Sequence, residues 1–274
     1  MKKKILIIGK KSFLGSNLSF FLTKKKVNTH LINFENFFKN YKFYNENYDL
    51  VVNCSSNKLF INNKYNAQND NNLRIANKLL KSKTKLLTIS TRKIYKQKFN
   101  TKESDTKKPK CNYSKNNLIS ERSVSKTLKK RSLVLRVSNI IGLPKNHNRK
   151  LHRTFNDVFF DKAKLGYVYD NKNIYKDFIS IKKFNEITFE LIKEDAFGPY
   201  NVSLGKKVYI NQITKWLNYH NKKKIIVIQP KKNFNNDSFT LNNNKLMNKI
   251  KLKNNLNELK NECISISKKF FQKK

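Results

Sequence analysis

No stretch of this chain approaches the about 18 uninterrupted apolar residues that a membrane-crossing helix needs. Met1-Lys2-Lys3-Lys4 has the charge of a signal-peptide leader, but Ile5 to Ile8 is too short for its apolar part and Gly9-Lys10-Lys11 ends it. A cytoplasmic location with no membrane partner is expected. Cysteine is scarce: Cys54, Cys111 and Cys263 are scattered and odd in number, so reduced thiols are expected and no metal-binding spacing is present. His30, His147, His152 and His220 show no ligand spacing either, and no metal is expected. Acidic residues are few, 18 against 60 Lys+Arg, for a net charge of +42. Gly and Pro number only 6 and 4, while Lys, Asn, Ile, Phe and Tyr abound. Those are the residues of A/T-rich codons. The lysines are spread evenly rather than gathered on one arm, which argues against a specific nucleic-acid partner. Non-specific binding at low salt is expected all the same.

Within 274 residues there is room for one large α/β domain, or one with a small lobe. Its opening organises the rest. Lys4-Ile5-Leu6-Ile7-Ile8 reads as a buried parallel strand. Gly9-Lys10-Lys11-Ser12-Phe13-Leu14-Gly15-Ser16 is a tight turn, and Leu14, Leu18, Phe21 and Leu22 then recur at helical spacing. Strand, glycine turn and helix in that order aim backbone N–H groups and a helix dipole at one point suited to a pyrophosphate. Gly9 lets the chain turn, and Gly15 lets helix and strand pack closely. Gly9, Ser12, Phe13, Leu14 and Gly15 are therefore candidate cofactor-binding residues. Ser12 stands where a middle glycine would stand in a G-x-x-G-x-x-G fingerprint, and fits if its backbone angles are ordinary and its hydroxyl faces the phosphate.

Val27 to Asn33 reads as a second strand. Asn33 ends it where an acid would hold the ribose of NAD, and does not repel the 2′-phosphate of NADP. Asp49 to Ser56 is a strand followed by small residues, with Cys54 and Ser55 placed to let a cofactor lie against the backbone. Leu59 to Asp70 reads as a surface loop, and Phe34 to Phe43 as aromatic cover for a sheet edge. Asn72 to Lys81 reads as a helix with Leu73, Ala76, Leu79 and Leu80 in the core. Lys85 to Ser90 is a strand, Tyr113 to Lys129 a helix and Ser132 to Val137 a strand. This alternation demands a parallel sheet with helices on both faces: a Rossmann-type, doubly wound α/β fold. After about residue 150 the pattern is mixed. It holds helices near 155–163, 183–192, 210–219 and 256–271, and strands near 167–169, 174–179, 200–202 and 225–228. We divide the chain into a dinucleotide-binding domain, 1–150, and a small C-terminal α/β substrate lobe, 151–274, with interleaved contributions. The Asn/Lys-rich stretch 230–260 keeps Phe239, Leu241, Leu246 and Ile250 and is expected to be ordered.

Taken together, these stretches resemble the extended short-chain dehydrogenase/reductase family of nucleotide-sugar epimerases, dehydratases and reductases. The pieces are the Gly9–Ser16 opening, Val51 to Ser55, Ser90-Thr91-Arg92-Lys93-Ile94-Tyr95, and Glu103 to Tyr113. Leu135 to Gly142, Asp177-Phe178-Ile179 and Gly198 to Val202 follow in the family's order. The resemblance implies NAD or NADP as cofactor, a nucleotide-sugar substrate and a possible homodimer. It implies Tyr113 as acid/base and Thr91 as the hydroxyl that polarises the reacting oxygen, with Asn139 on the substrate and further contacts from about Thr154 onward. The family places a lysine four residues after its tyrosine, to lower a phenol that otherwise titrates near ~10. Here that position is Asn117, which can hold a ribose but carries no charge, and Lys115 lies roughly 200° round the helix. Lys93 is a substitute cation through space. Lys183 stands where the family has an acid. Two functions remain open: an NAD(P)-dependent reductase, epimerase or dehydratase of nucleotide sugars for surface polysaccharide, or a catalytically weakened NAD(P)-binding sensor or partner subunit.

Overall fold

The computed structural model describes residues 3–144, 155–170, 174–229, 237–252 and 255–270. Six parallel strands form the main sheet: β1 (Ile5–Ile8), β2 (Thr29–Ile32), β3 (Leu50–Asn53), β4 (Lys85–Thr91), β5 (Ser132–Val137) and β6 (Gly198–Val202). Their order across the sheet is β6-β5-β4-β3-β1-β2. Every residue of β1, β3 and β5 is buried, as central strands in a sheet covered on both faces must be. The flanking helices are α1 (Phe13–Lys24), α2 (Asn71–Lys78), α3 (Asn112–Leu128) and α4 (Ile181–Lys193). Side chains alternate between the two faces along each strand. Ile5 and Ile7 join Leu18, Leu22, Phe184 and Ile187 from α1 and α4. Leu6 and Ile8 join Ile75, Ala76, Val124 and Leu128 from α2 and α3. The fold is the expected doubly wound α/β sheet. Its connections leave β1 in opposite directions toward β2 and β3, so the carboxyl ends of these strands form the crevice where such sheets take ligands.

A cut at residue 150 divides the chain but not this sheet, because α4 packs on it and β6 extends it beside β5. The remainder of the C-terminal half has its own core, with Phe159, Phe160, Phe178, Ile213, Leu217, Leu259 and Ile266. Helices Phe155–Lys164, Ile210–Leu217 and Leu256–Phe270 build it. Strand Asn139–Ile141, paired with Phe178–Ser180, carries the chain out of the sheet into this lobe. Among the described residues no helix is long and apolar enough to cross a membrane.

Several elements differ from the sequence reading. Residues 59–70 are not a plain loop: Lys58–Asn62 is a helix and Ala67–Asn69 a 3-10 turn, with Phe60 and Ile61 buried. Each starts on an asparagine cap, Asn57 to Leu59 N–H and Asn66 to Gln68 N–H, both 2.8 Å. In so asparagine-rich a chain those caps do not stand out. The second strand is only Thr29–Ile32, so Asn33 lies just beyond its end. Residues 34–43 are helical, in Phe34–Lys39 and the start of Tyr41–Asn47, and Phe37 is wholly buried while Phe43 is exposed. Leu80 is exposed rather than in the core, and Ile75 takes the buried place. The strand expected over 174–179 is two, Tyr175–Lys176 and Phe178–Ser180, broken at Asp177. That carboxylate is wholly buried and accepts the N–H groups of Leu204, Gly205 and Leu241 at 2.9 to 3.2 Å. Burial pushes its pKa up to about 7 against the pull of those donors. In the 230–260 stretch, Phe239, Leu241, Leu246 and Ile250 are all buried; residues 230–236 and 253–254 lie outside those described.

Candidate active site

The glycine turn sits at the carboxyl end of β1. Gly9 has φ +125°, which side-chain-bearing residues rarely adopt, and a Cβ there would lie 3.0 Å from the carbonyl carbon of Cys54. A Cβ on Gly15 would lie 2.6 Å from the Gly9 carbonyl oxygen. Both glycines are thus demanded by the close approach of α1, the turn and the segment after β3. Ser12 has ordinary angles, φ −77° and ψ 143°, and occupies the N-cap of α1. Its hydroxyl accepts the Gly15 N–H at 3.4 Å, so it is turned to its own helix rather than outward to a phosphate. The replacement of glycine by serine is explained by that cap and carries no backbone strain.

Three connected depressions run from this turn. The outermost, about 590 Å³, is lined by Gly9, Lys11, Ser12, Asn33, Phe34, Glu35 and Arg74. The Arg74 guanidinium stacks 4.9 and 4.6 Å from the ring centres of Phe34 and Phe38. Sequence reasoning missed Arg74 and Glu35. The middle groove, about 190 Å³, is lined by Ser12, Phe13, Leu14, Cys54, Ser55, Tyr113 and Asn117, among others. Its floor is a polar network. Asn53 donates to Asn72 at 2.7 Å and accepts from the Ser55 backbone and hydroxyl at 3.0 and 2.7 Å, and Asn71 donates to Ser55 at 3.0 Å. Asp70 caps α2 through the Asn72 and Leu73 N–H groups and accepts from Ser120 at 3.0 Å. The network ties the end of β3 to α2 and α3, and was hidden among the many asparagines of the sequence.

The third depression is a cleft of about 610 Å³ lined by Thr91, Arg92, Lys93, Tyr113, Ser138 and Asn139, with Phe155 and Asn156 from the lobe. Phe13, Leu14 and Tyr113 also line the middle groove, so groove and cleft meet at the phenol. Thr91 and Tyr113 both line this cleft. Burial raises the Tyr113 pKa above the usual phenol range, the Thr91 side chain opposes this, and Cys111 adds an upward push. Lys115 is exposed, and the charge of Lys93 is felt at Cys111. There burial is outweighed by hydrogen bonds from Ser114 and by Lys93, so the thiol falls below its usual value. Asn117 is buried and its amide donates to the Tyr113 carbonyl of its own helix at 2.7 Å, while its side chain still borders the groove.

Two polar atoms at the cleft are buried without a partner: the Asn139 amide nitrogen and the Ser138 hydroxyl. Native structures rarely leave such buried groups without a partner, which makes both atoms candidates to contact a molecule in the cleft. Asn156 is instead held by the Gly142 backbone, at 2.9 and 3.1 Å, and its role is structural. Thr154 lies outside the described residues. Lys183 is buried and bridges Glu186 at 3.0 Å and Glu258 at 2.9 Å, far from any acid's duty in the cleft. Behind Thr91, Glu121 and Arg136 form a buried pair at 2.7 Å. Glu121 also accepts from Ser90, and Arg136 donates to Tyr95 at 2.8 Å and the Glu103 carbonyl at 3.0 Å. This pair locks β4, β5, α3 and the loop over 95–107 into one block.

Fold and site together define a Rossmann-type dinucleotide-fold protein with a cleft between sheet and lobe. No family model matches the chain, and no curated protein matches its sequence. Solved structures do match over the full length. A UDP-N-acetylglucosamine 4-epimerase from Methanobrevibacter ruminantium M1, in complex with UDP-N-acetylmuramic acid, is 18% identical and covers 100% of both chains at a TM-score of 0.82. A dTDP-4-dehydrorhamnose reductase from Clostridium acetobutylicum is 15% identical, over 97% of this chain and 99% of the other, at 0.76. RMD from Pseudomonas aeruginosa, complexed with NADPH, is 17% identical over 98% and 97% at 0.75. At these identities the likeness establishes the fold.

Proposed function

We propose that the protein is an NAD(P)-dependent enzyme that reduces, epimerises or dehydrates a nucleotide-activated sugar. The observation that carries this is that Tyr113 lines both the groove and the cleft and Thr91 lines the cleft beside it, so that one phenol could serve a cofactor ring in the groove and a sugar in the cleft. The glycine turn supports it, since Gly9 and Gly15 let β1, the turn and α1 pack closely enough to present the helix start to a diphosphate. Two of the structures of this fold named above hold a nucleotide sugar or NADPH, which agrees. When bound, the nicotinamide would supply or accept the hydride. The chain's own work is then plain. Gly9 to Gly15 hold a diphosphate, Asn33 and Arg74 border the adenosine end, and Cys54 and Ser55 keep the middle of the groove narrow. Asn139 and Ser138 meet the sugar nucleotide with their unpaired donors. Thr91 orients the reacting oxygen, and Tyr113 moves its proton. With its pKa above the usual range, Tyr113 is protonated at neutral pH and suited to donating to a carbonyl being reduced. That favours ketone reduction over steps that begin by removing a hydroxyl proton.

A second reading, a cofactor-binding subunit with a weakened site, rests on Asn117, whose uncharged amide is spent on its own helix. The substitution Asn117→Lys separates the two. An enzyme gains turnover at neutral pH, about tenfold or more, because the ammonium favours the phenolate. A pure binding protein shows cofactor fluorescence titration with NADH or NADPH but no turnover in either form on a panel of 4-keto and 4-hydroxy sugar nucleotides.

A further inference from the structure

The cleft holds more built positive charge than the chemistry above uses. Arg92 directly follows Thr91, and its side chain is only 10% exposed. Its two terminal nitrogens fork the carboxylate of Asp237, at 3.0 and 2.8 Å. Lys176 reaches the same carboxylate at 3.0 Å. The ring of Phe239 lies 3.5 Å from the guanidinium carbon. Arg92, Lys176 and Asp237 all line the cleft with Thr91 and Tyr113. A planar fork, an ammonium and an aromatic floor converging on one carboxylate make a carboxylate receptor. Two cations face one anion there, so the receptor keeps a net positive charge. Its occupant is also the more exposed member, with the Asp237 side chain 43% exposed. An exchange of Asp237 for another carboxylate would return Asp237 to water and keep the guanidinium paired.

We infer that Arg92 and Lys176 recognise a carboxylate carried by the sugar ring of the substrate, and that Asp237 is the internal stand-in which an acidic sugar displaces. The inference rests on the nucleotide-sugar reading and names the substrate class within it. Consecutive Cα atoms lie ~3.8 Å apart, so Arg92 stands beside the residue that orients the reacting oxygen. A ring substituent near the reacting carbon falls within its reach. A neutral hexose offers nothing there that could replace Asp237.

The test is equilibrium binding to the cofactor-loaded protein with matched pairs: UDP-glucose and UDP-glucuronic acid, GDP-mannose and GDP-mannuronic acid, with UDP and GDP alone as references. The acidic member of at least one pair should bind about tenfold tighter or better. Asp237→Asn, which removes the competing charge, should widen that gap several-fold. Arg92→Gln should abolish the gap, and Lys176→Met should narrow it, with thermal unfolding run alongside to show that each variant is folded. Equal binding within both pairs, in the native protein and in Asp237→Asn, would overturn the inference alone. A gain of the same size for bare UDP or GDP in Asp237→Asn would assign the fork to the diphosphate and also overturn it. No binding by any member, with cofactor bound, would remove the nucleotide-sugar reading and this inference with it.

Discussion

Gly15→Ala is the most demanding test of the glycine turn. The added methyl would stand 2.6 Å from the Gly9 carbonyl oxygen and 3.3 Å from the Cys54 Cβ. Neither neighbour is the free end of a flexible side chain, since one is backbone and the other is fixed beside it. The turn and the start of α1 must part by roughly half an ångström, an overpacking cost of about 1–3 kcal/mol. Alanine in a helix returns about 0.5–1 kcal/mol relative to glycine, leaving a net loss of up to about 2.5 kcal/mol. For a chain of this size that lowers Tm by up to roughly 10 °C. The same displacement moves the N–H groups that would hold a diphosphate, so cofactor affinity should fall by more than stability does, about tenfold or further. Thermal unfolding with and without NADPH measures the first effect, and the added cofactor should stabilise the variant less than the native protein. Fluorescence titration measures the second. If Gly15→Ala melted unchanged and bound both reduced cofactors as tightly as the native chain, the close packing argued from Gly9 and Gly15 would be wrong.

Tyr113→Phe should leave cofactor binding intact and lower turnover about 10²–10⁴-fold, read as kcat on whichever sugar nucleotide is active. Oxidation of a sugar nucleotide by the native protein should speed up as pH rises through the alkaline range, because burial holds the Tyr113 phenol protonated, and Asn117→Lys should shift that rise toward neutral pH. Glu121→Gln leaves the Arg136 charge buried with its main partner gone, and should destabilise by about 3–5 kcal/mol in denaturant unfolding. Asp237 is buried enough for its pKa to be pushed up, but Arg92 and Lys176 outweigh this and hold it down to about 2. Its folded pKa thus lies below the unfolded value near ~4, so its contribution is present above about pH 4 and is lost as pH falls toward 2. Asp237→Asn should flatten that part of the acid unfolding curve, followed by circular dichroism.

The sheet and the glycine turn were legible because their signals are local. Apolar runs such as Ile5–Ile8 and Leu133–Leu135 read as central strands, and two glycines six residues apart between a strand and a helix mark a close backbone approach. Thr91 and Tyr113 were found from the order of short segments along the chain, and only the fold brings β4 and α3 together so that the two side chains meet. The capped helix at 58–62 was invisible because an asparagine cap means little where asparagine is everywhere. Leu80 and the strand over 174–179 failed for another reason: burial there is decided by distant partners, the backbone of 204, 205 and 241 in the case of Asp177. Arg74, Lys176 and Asp237 reached no notice in a chain with 60 basic residues, since a charge acquires meaning only from what it faces. By itself, then, the order of residues determined the strands, the turn and the candidate proton donor, all set by periodicity and backbone sterics over a few residues. The tertiary structure decided which of many lysines, arginines and asparagines line the cleft, because those contacts join segments up to 145 residues apart.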